Sequence, residues 1–208
     1  DTEDLTSSDT NRLIKTVEKI IHEQEIHVII FQDYNKGIIT GNLIKRTIEI
    51  ASKKNIPVAV DPKLKNFSAY KGVTLFKPNL KELKDGLKTE FDHRNIKELN
   101  EVVQTLQNKQ QIKHALITLS EDGVYISSKE GSQRLIHSIP AHKRSITDVS
   151  GAGDTVISVA SLCLAYGCEP YEIAAIANLA GGIVCEEIGV VPVNKARLQE
   201  EVRKIEKL

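Results

Sequence analysis

The sequence contains no methionine, and it opens on Asp1 rather than on an initiator. Its first ten residues, DTEDLTSSDT, read as the interior of a longer protein whose N-terminal part is missing. Net charge is also absent: 28 Lys+Arg balance 28 Asp+Glu. No global field therefore recruits nucleic acid or an anionic membrane, and any bound anion must be held by local geometry. The cysteines number only three (Cys163, Cys168, Cys185), with no CxxC pair. An odd set in apolar surroundings favours reduced core thiols in a cytoplasmic protein over a disulfide framework. The six histidines are scattered, without metal-ligand spacing. No apolar run reaches membrane-spanning length, no signal-peptide pattern opens the chain, and no repeat or low-complexity segment interrupts it.

What is present alternates. Ser8 or Asp9 is expected to cap a helix bearing Leu13, Ile14, Val17, Ile20 and Ile21 on one face. The β-branched run IHVIIFQ (26–32) predicts a strand buried on both faces. The loop DYNKGIITG leads into a helix over about 42–54, and PVAVD is a second strand ending at Asp61. VTLFKPN predicts a third strand that stops at Pro78, with a short helix starting at Asn79 and a longer one over 95–110. HALITL is a fourth strand, followed by the turn SEDG and a hairpin partner, VYISS. After the turn KEGS and the segment QRLIHSI, helices are expected over 152–166, 170–187 and 194–207. Strands alternating with helices imply an α/β layered fold with a mainly parallel sheet, helices on both faces and ligands at the carboxyl ends of the strands. Residues 1–208 read as a single domain.

The segment ITDVSGAGDTV (146–156) crowds two glycines and an alanine ahead of an aspartate and an apolar run. It is not a Walker A loop, because no Gly-Lys-Ser/Thr follows, and Val156 stands where the dinucleotide fingerprint needs its third glycine. Two readings remain. Ser150 caps a helix whose first turn carries Asp154 for the macrodipole. Alternatively, Gly151, Ala152 and Gly153 offer N–H groups to a phosphate-like anion, with Asp154 beside a hydroxyl that attacks phosphorus. PNLKE (78–82) likewise reads as an Asn79/Glu82 capping box or a ligand site, and TLSEDG (118–123) as a strand-end turn or a nucleotide loop. DPK (61–63) and DYNKG (33–37) each set a carboxylate and a lysine at the carboxyl end of a strand, where ligands bind and where surface loops are also charged.

The order of these motifs along one chain resembles the PfkB, or ribokinase-like, family of carbohydrate kinases. DVSGAGDTV (148–156) fits the family signature D-[TV]-[TS]-G-A-G-D-x-[FV] throughout. DYNKG, VDPK, LFKPNLKE, LITLSEDG and ANLAGGIVCEEIGV bring the resemblance closest to the heptose-phosphate kinases of lipopolysaccharide precursor synthesis, of the RfaE domain I type. The resemblance implies a ribokinase-like three-layer α/β/α fold truncated at its N-terminus. It implies an ATP-dependent kinase of D-glycero-D-manno-heptose 7-phosphate, working with Mg²⁺ and a monovalent cation such as K⁺, and a homodimer. Other readings are a kinase of another sugar and a non-catalytic nucleotide-binding fragment.

By the same resemblance Asp154 is the catalytic base, and Gly151, Ala152 and Gly153 form the anion hole. Asn79 and Glu82 stand near the triphosphate, Glu82 reaching Mg²⁺ through water. Thr118, Ser120 and Gly123 lie beside the nucleotide, Ser120 where ribokinases often have glycine, and Asn178 lies next to the adenine. Asp148 and Ser150 hold the monovalent cation. Asp33, Lys36 and Lys63 are candidates for the substrate or its phosphates. No HxGH-type sequence occurs, so the nucleotidylyltransferase that some relatives carry fused is not expected within this chain.

Overall fold

The computed structural model describes residues 3–131 and 133–205. Among these, six strands form one sheet in the order of the chain, β1 (Ile29–Gln32), β2 (Val58–Asp61), β3 (Leu75–Phe76), β4 (His114–Thr118), β5 (Val124–Glu130) and β6 (Gln133–Ile139). The first four run parallel, and β5 and β6 close the sheet as antiparallel hairpins. The helices are α1 (Ser7–Glu23), α2 (Gly41–Lys53), α3 (Leu80–Leu87), α4 (Ile96–Gln110), α5 (Ala152–Tyr166), α6 (Pro170–Val184) and α7 (Lys195–Ile205).

The sheet is apolar on both faces, as its two-residue alternation requires. Val58, Val60, Phe76, Ala115, Ile117 and Tyr125 join one core with residues of α2 and α4. Ala59, Leu75, Leu116, Val124 and Ile126 point the other way, into a second core made with α5 and α6. The result is the expected three-layer α/β/α arrangement. β1 to β4 run parallel, connected through α2, a short 3-10 turn (Leu64–Asn66) and α3 with α4, so their carboxyl ends and the segments after them lie at one end of the sheet.

Several local expectations need correction. Thr6, not Ser8 or Asp9, caps α1, its hydroxyl accepting from the Asp9 N–H at 3.1 Å. β1 is shorter than expected and, among the described residues, is an edge strand, with Ile30 41% exposed instead of buried. α6 stops at Val184, with Cys185 as its C-cap. The expected last helix begins at Lys195, and its positions 206 and 207 lie outside the described residues. α7 is docked by ion pairs: Arg144 meets both Glu186 and Glu201, as does Arg197. No helix among the described residues is long and apolar enough to cross a membrane.

Candidate active site

The site lies where the carboxyl ends of β1, β2 and β3 meet the first turn of α5. Gly151 makes the entry turn in the left-handed region (φ 78°) as N-cap of α5, and no side chain caps that helix. Ser150 is therefore not the cap that the structural reading of SGAGD required. Ala152 N–H donates to Val149 O at 3.2 Å, and with no side-chain acceptor the neighbouring N–H groups are left to solvent or to an anion. Gly153 is exposed, its φ is not positive, and a Cβ built there would lie 3.7 Å from Lys77 Nζ and 3.9 Å from Asp61 Oδ2. The two glycines thus do different work. Gly151 makes the turn, and Gly153 keeps open the space above a lysine and an aspartate.

That lysine and aspartate are buried. Lys77 (3% exposed) ends the β3 segment, Asp61 (4%) ends β2, and Nζ lies 3.1 Å from Oδ2. Burial pushes the Asp61 carboxyl upward, and the Lys77 ammonium pulls it back only in part. The second oxygen of Asp61, Oδ1, is buried without a partner. Gln32, the last residue of β1, donates from one amide nitrogen to Asp61 Oδ2 at 3.1 Å and to Asp154 Oδ1 at 2.9 Å. The exposed Tyr34 hydroxyl donates to the same Asp154 oxygen at 3.1 Å. Four elements therefore join through Lys77, Asp61, Gln32 and Asp154.

Asn79 and Glu82 form a complete capping box at the start of α3: Asn79 Oδ1 accepts from the Glu82 N–H at 2.8 Å, and Glu82 Oε2 from the Asn79 N–H at 2.9 Å. Glu82 also pairs with Lys63, which joins two residues that had been assigned separate roles. Burial works against the charge on Lys63, but Glu82 outweighs it and raises the ammonium above its ordinary range. Thr118 is beside this cap, bridged to Asn79 and donating its N–H to Pro78 O at 3.2 Å. Ser120 adopts φ 53°, a conformation that glycine takes without strain. Gly123 (φ 91°) packs on backbone: a Cβ there would come within 2.1 Å of Ile139 O.

The remaining expected residues are less concentrated. Asn178 Nδ2 donates to Pro140 O at 2.9 Å, tying α6 to the segment after β6. Asp148 bridges two loops, accepting from Ser150 N at 2.9 Å and Gly189 N at 3.0 Å, and these bonds hold its carboxyl below the usual range. Lys36 is exposed. Asp33 departs most from expectation. It is 1% exposed, and its carboxylate accepts from Tyr70 Oη at 2.8 Å, Asn66 Nδ2 at 3.0 Å and Asn35 N at 2.8 Å. This buried carboxylate shapes the DYNKG loop from within, with Oδ2 accepting two bonds and Oδ1 one.

Sequence reasoning missed Gln32, Tyr34 and Lys77 as site residues, and it weighed Asp61 only as part of DPK. For Lys77 a signal existed: a lysine ending the apolar run VTLF needs a buried anion. Gln32 and Tyr34 carried none, because only the pairing of β1 with β2 brings them to Asp154.

Fold and site together define an α/β protein of the ribokinase-like class, with a helix start that no side chain caps and a carboxylate in its first turn. The chain belongs to the pfkB family of carbohydrate kinases, whose pattern matches residues 5–197. It is 36% identical over 173 residues to the bifunctional protein HldE of Syntrophotalea carbinolica, covering 83% of this chain and 34% of that protein. A bifunctional protein HldE from Campylobacter jejuni subsp. doylei is also 36% identical, over 88% of this chain and 38% of its own length. The chain thus spans about a third of the length of these relatives. Among solved structures, Escherichia coli phosphofructokinase-2 in complex with potassium superposes with a TM-score of 0.82 at 18% identity, over 98% of this chain and 64% of that one. Arabidopsis thaliana ribokinase complexed with ribose and ATP gives 0.68 at 18% identity, over 95% and 59%.

Proposed function

We propose that this chain is the nucleotide-binding, base-bearing portion of an ATP-dependent sugar-phosphate kinase. Its proposed acceptor is the anomeric hydroxyl of D-glycero-D-manno-heptose 7-phosphate. The observation that carries the reading is Asp154, held in the first turn of an uncapped helix directly beside the open space over Gly153. The HldE relatives at 36% identity and the DYNKG and VDPK motifs favour a heptose phosphate over other sugars.

In this reading the acceptor oxygen attacks the γ-phosphorus of ATP as the bond from that phosphorus to the bridging oxygen breaks. The electron pair leaves on ADP, and the acceptor proton passes to the Asp154 carboxylate. Gly151 and Gly153 present N–H groups to the charge that builds on the transferring phosphoryl group, which is where preorganised donors act most strongly, and Ala152 joins them on giving up its 3.2 Å bond to Val149 O. Thr118, Ser120 and Gly123 form one side of the nucleotide cleft and Asn178 borders its base. Lys36 and Lys63 are the proposed cations for substrate phosphates.

The residues fit Mg²⁺: hard carboxylate oxygens, one of them the orphaned buried Asp61 Oδ1, sit with Glu82 near the helix start. Magnesium usually takes one or two carboxylates and completes its shell with water and phosphate oxygens, so no protein cage is required. Glu82 and Asp61 would hold it, and when bound with the nucleotide it supplies neutralising charge to the phosphates. A monovalent cation at Asp148 and Ser150 would add to the loop order that Asp148 already provides.

The test is phosphoryl transfer from labelled ATP to a panel of sugars and sugar phosphates, using the full-length protein. The heptose 7-phosphate is expected to exceed the others in kcat/KM by roughly 10-fold or more. A preference for ribose or a fructose phosphate would reject the heptose assignment and keep the kinase. ATP binding without transfer to any acceptor would reject the kinase.

A further inference from the structure

Two donors converge on one oxygen of Asp154. Gln32 Nε2 at 2.9 Å and Tyr34 Oη at 3.1 Å both point at Oδ1, and among the described residues no side-chain hydrogen bond reaches Oδ2. We propose that Gln32, assisted by Tyr34, is the positioning residue that selects Oδ2 of Asp154 as the proton-accepting atom. This rests on the kinase reading for the identity of the proton, but not for the geometry.

A primary amide has two N–H bonds, and Gln32 commits one to Asp154 and the other to Asp61. The amide cannot turn over, because its oxygen would then face two carboxylates. Its far end is fixed, since Asp61 is itself held by Lys77 at 3.1 Å within the buried sheet. Asp154 by contrast sits on a half-buried first turn and would otherwise sample several rotamers. Gln32 transmits the rigidity of the buried pair to the carboxylate. With Oδ1 saturated, the acceptor hydroxyl finds Oδ2, its proton moving there as the new O–P bond forms and the bond to ADP breaks. Tyr34, exposed in the free chain, adds a second hold from the other side. A purely structural Gln32 would merely tie β1 to α5, and the two roles predict different couplings.

The experiment uses the full-length protein with Gln32→Leu, Asp154→Asn, the double variant, and Gln32→Asn. Gln32→Leu is expected to lower kcat by roughly 10-fold or more, the scale of a misplaced catalytic group, with the KM for ATP unchanged within about twofold. In the Asp154→Asn background the same change is expected to cost less than about twofold, because a residue acting through Asp154 has nothing left to position. Gln32→Asn, one methylene too short to span both carboxylates, is expected not to rescue. An independent readout is the Gln32 side-chain amide in a ¹⁵N–¹H spectrum. Asp154→Asn should move one of its two proton resonances, and Asp61→Asn the other. Full additivity of the two substitutions in kcat would overturn the proposal, as would amide resonances indifferent to Asp154→Asn. If no acceptor is phosphorylated at all, the kinase reading fails separately, and the amide spectrum still decides whether Gln32 holds Asp154.

Discussion

Replacing Gly153 by alanine separates the turn from the anion. Gly153 is the second residue of α5 and does not need a positive φ, so alanine fits its backbone. The added Cβ would meet Lys77 Nζ at 3.7 Å and Asp61 Oδ2 at 3.9 Å, ordinary contact distances. Gly→Ala at a compatible position stabilises by about 0.4–1 kcal/mol, chiefly by restricting the unfolded chain. For a domain of this size that raises Tm by roughly 1–4 °C. The same methyl group fills the space where a phosphoryl oxygen would approach the helix N–H groups, and turnover is expected to fall roughly 10²-fold, the scale of losing one oxyanion donor. Gly151→Ala is the control. Its φ is 78° and its Cβ would lie 2.9 Å from Val190 Cγ1, so it should cost about 1–2 kcal/mol in backbone strain alone and lower Tm. Thermal melts and turnover per folded molecule, measured on both variants of the full-length protein, decide. A Gly153→Ala protein with wild-type turnover would refute the reasoning, and so would one that melts as early as Gly151→Ala.

The other expectations address single groups. Asp154→Asn should lower turnover by about 10²-fold or more while calorimetric ATP affinity stays near wild type; near-normal turnover would leave Asp154 as a helix-start residue only. Glu82→Gln keeps a side chain suited to the capping box and gives up only the part-exposed ion pair with Lys63, so stability should fall by about 1 kcal/mol at most while the Mg²⁺ concentration for half-maximal activity rises; an unchanged Mg²⁺ titration would remove Glu82 from the metal. Lys77→Met strands the buried Asp61 carboxylate and should destabilise by about 3–5 kcal/mol in urea melts, with most of the loss recovered by adding Asp61→Asn; no recovery would show that the pair is not the cause. His114 is buried, with Nδ1 2.7 Å from Ser128 Oγ, and burial pushes its pKa down to about 4. The unfolded chain therefore binds the extra proton first, so stability present above pH 6.5 is lost progressively as pH falls towards 4, by about 3 kcal/mol in all. Urea midpoints across that window should show the slope, and His114→Gln should flatten it; a variant with the same slope would assign it to other groups.

Most elements were legible because their signals are local. Asn79 announces α3 with Glu82 three residues on, and β2 reads as an unbroken apolar run because both its faces are covered. The signature around Asp154 is local too, and it was found. β1 was misjudged for a nonlocal reason. IHVIIFQ has the composition of a central strand, yet its position at the sheet edge among the described residues leaves Ile30 exposed, and position in a sheet is not written in one strand. The burial of Asp33 is nonlocal in the opposite sense: a carboxylate in a polar loop looks solvated until Asn66 and Tyr70, more than thirty residues downstream, close over it.

The capping-box question shows why motif readings need not exclude one another. Asn79 and Glu82 do cap α3 with both reciprocal bonds, as the structural reading held. Yet the box fixes the Glu82 carboxylate at the carboxyl end of β3, against Lys63 from the loop after β2. A glutamate that must cap a helix cannot wander, and so it stands ready for any charge that enters the cleft. The same holds for Asp154. The macrodipole favours a carboxylate in the first turn of α5, and Gln32 and Tyr34 then hold that carboxylate in place. Secondary-structure stabilisation and ligand chemistry draw on the same residues here because both need a polar group fixed at the end of an element. A substitution that spares the cap and alters only the charge, such as Glu82→Gln, is therefore the one that can tell the two apart.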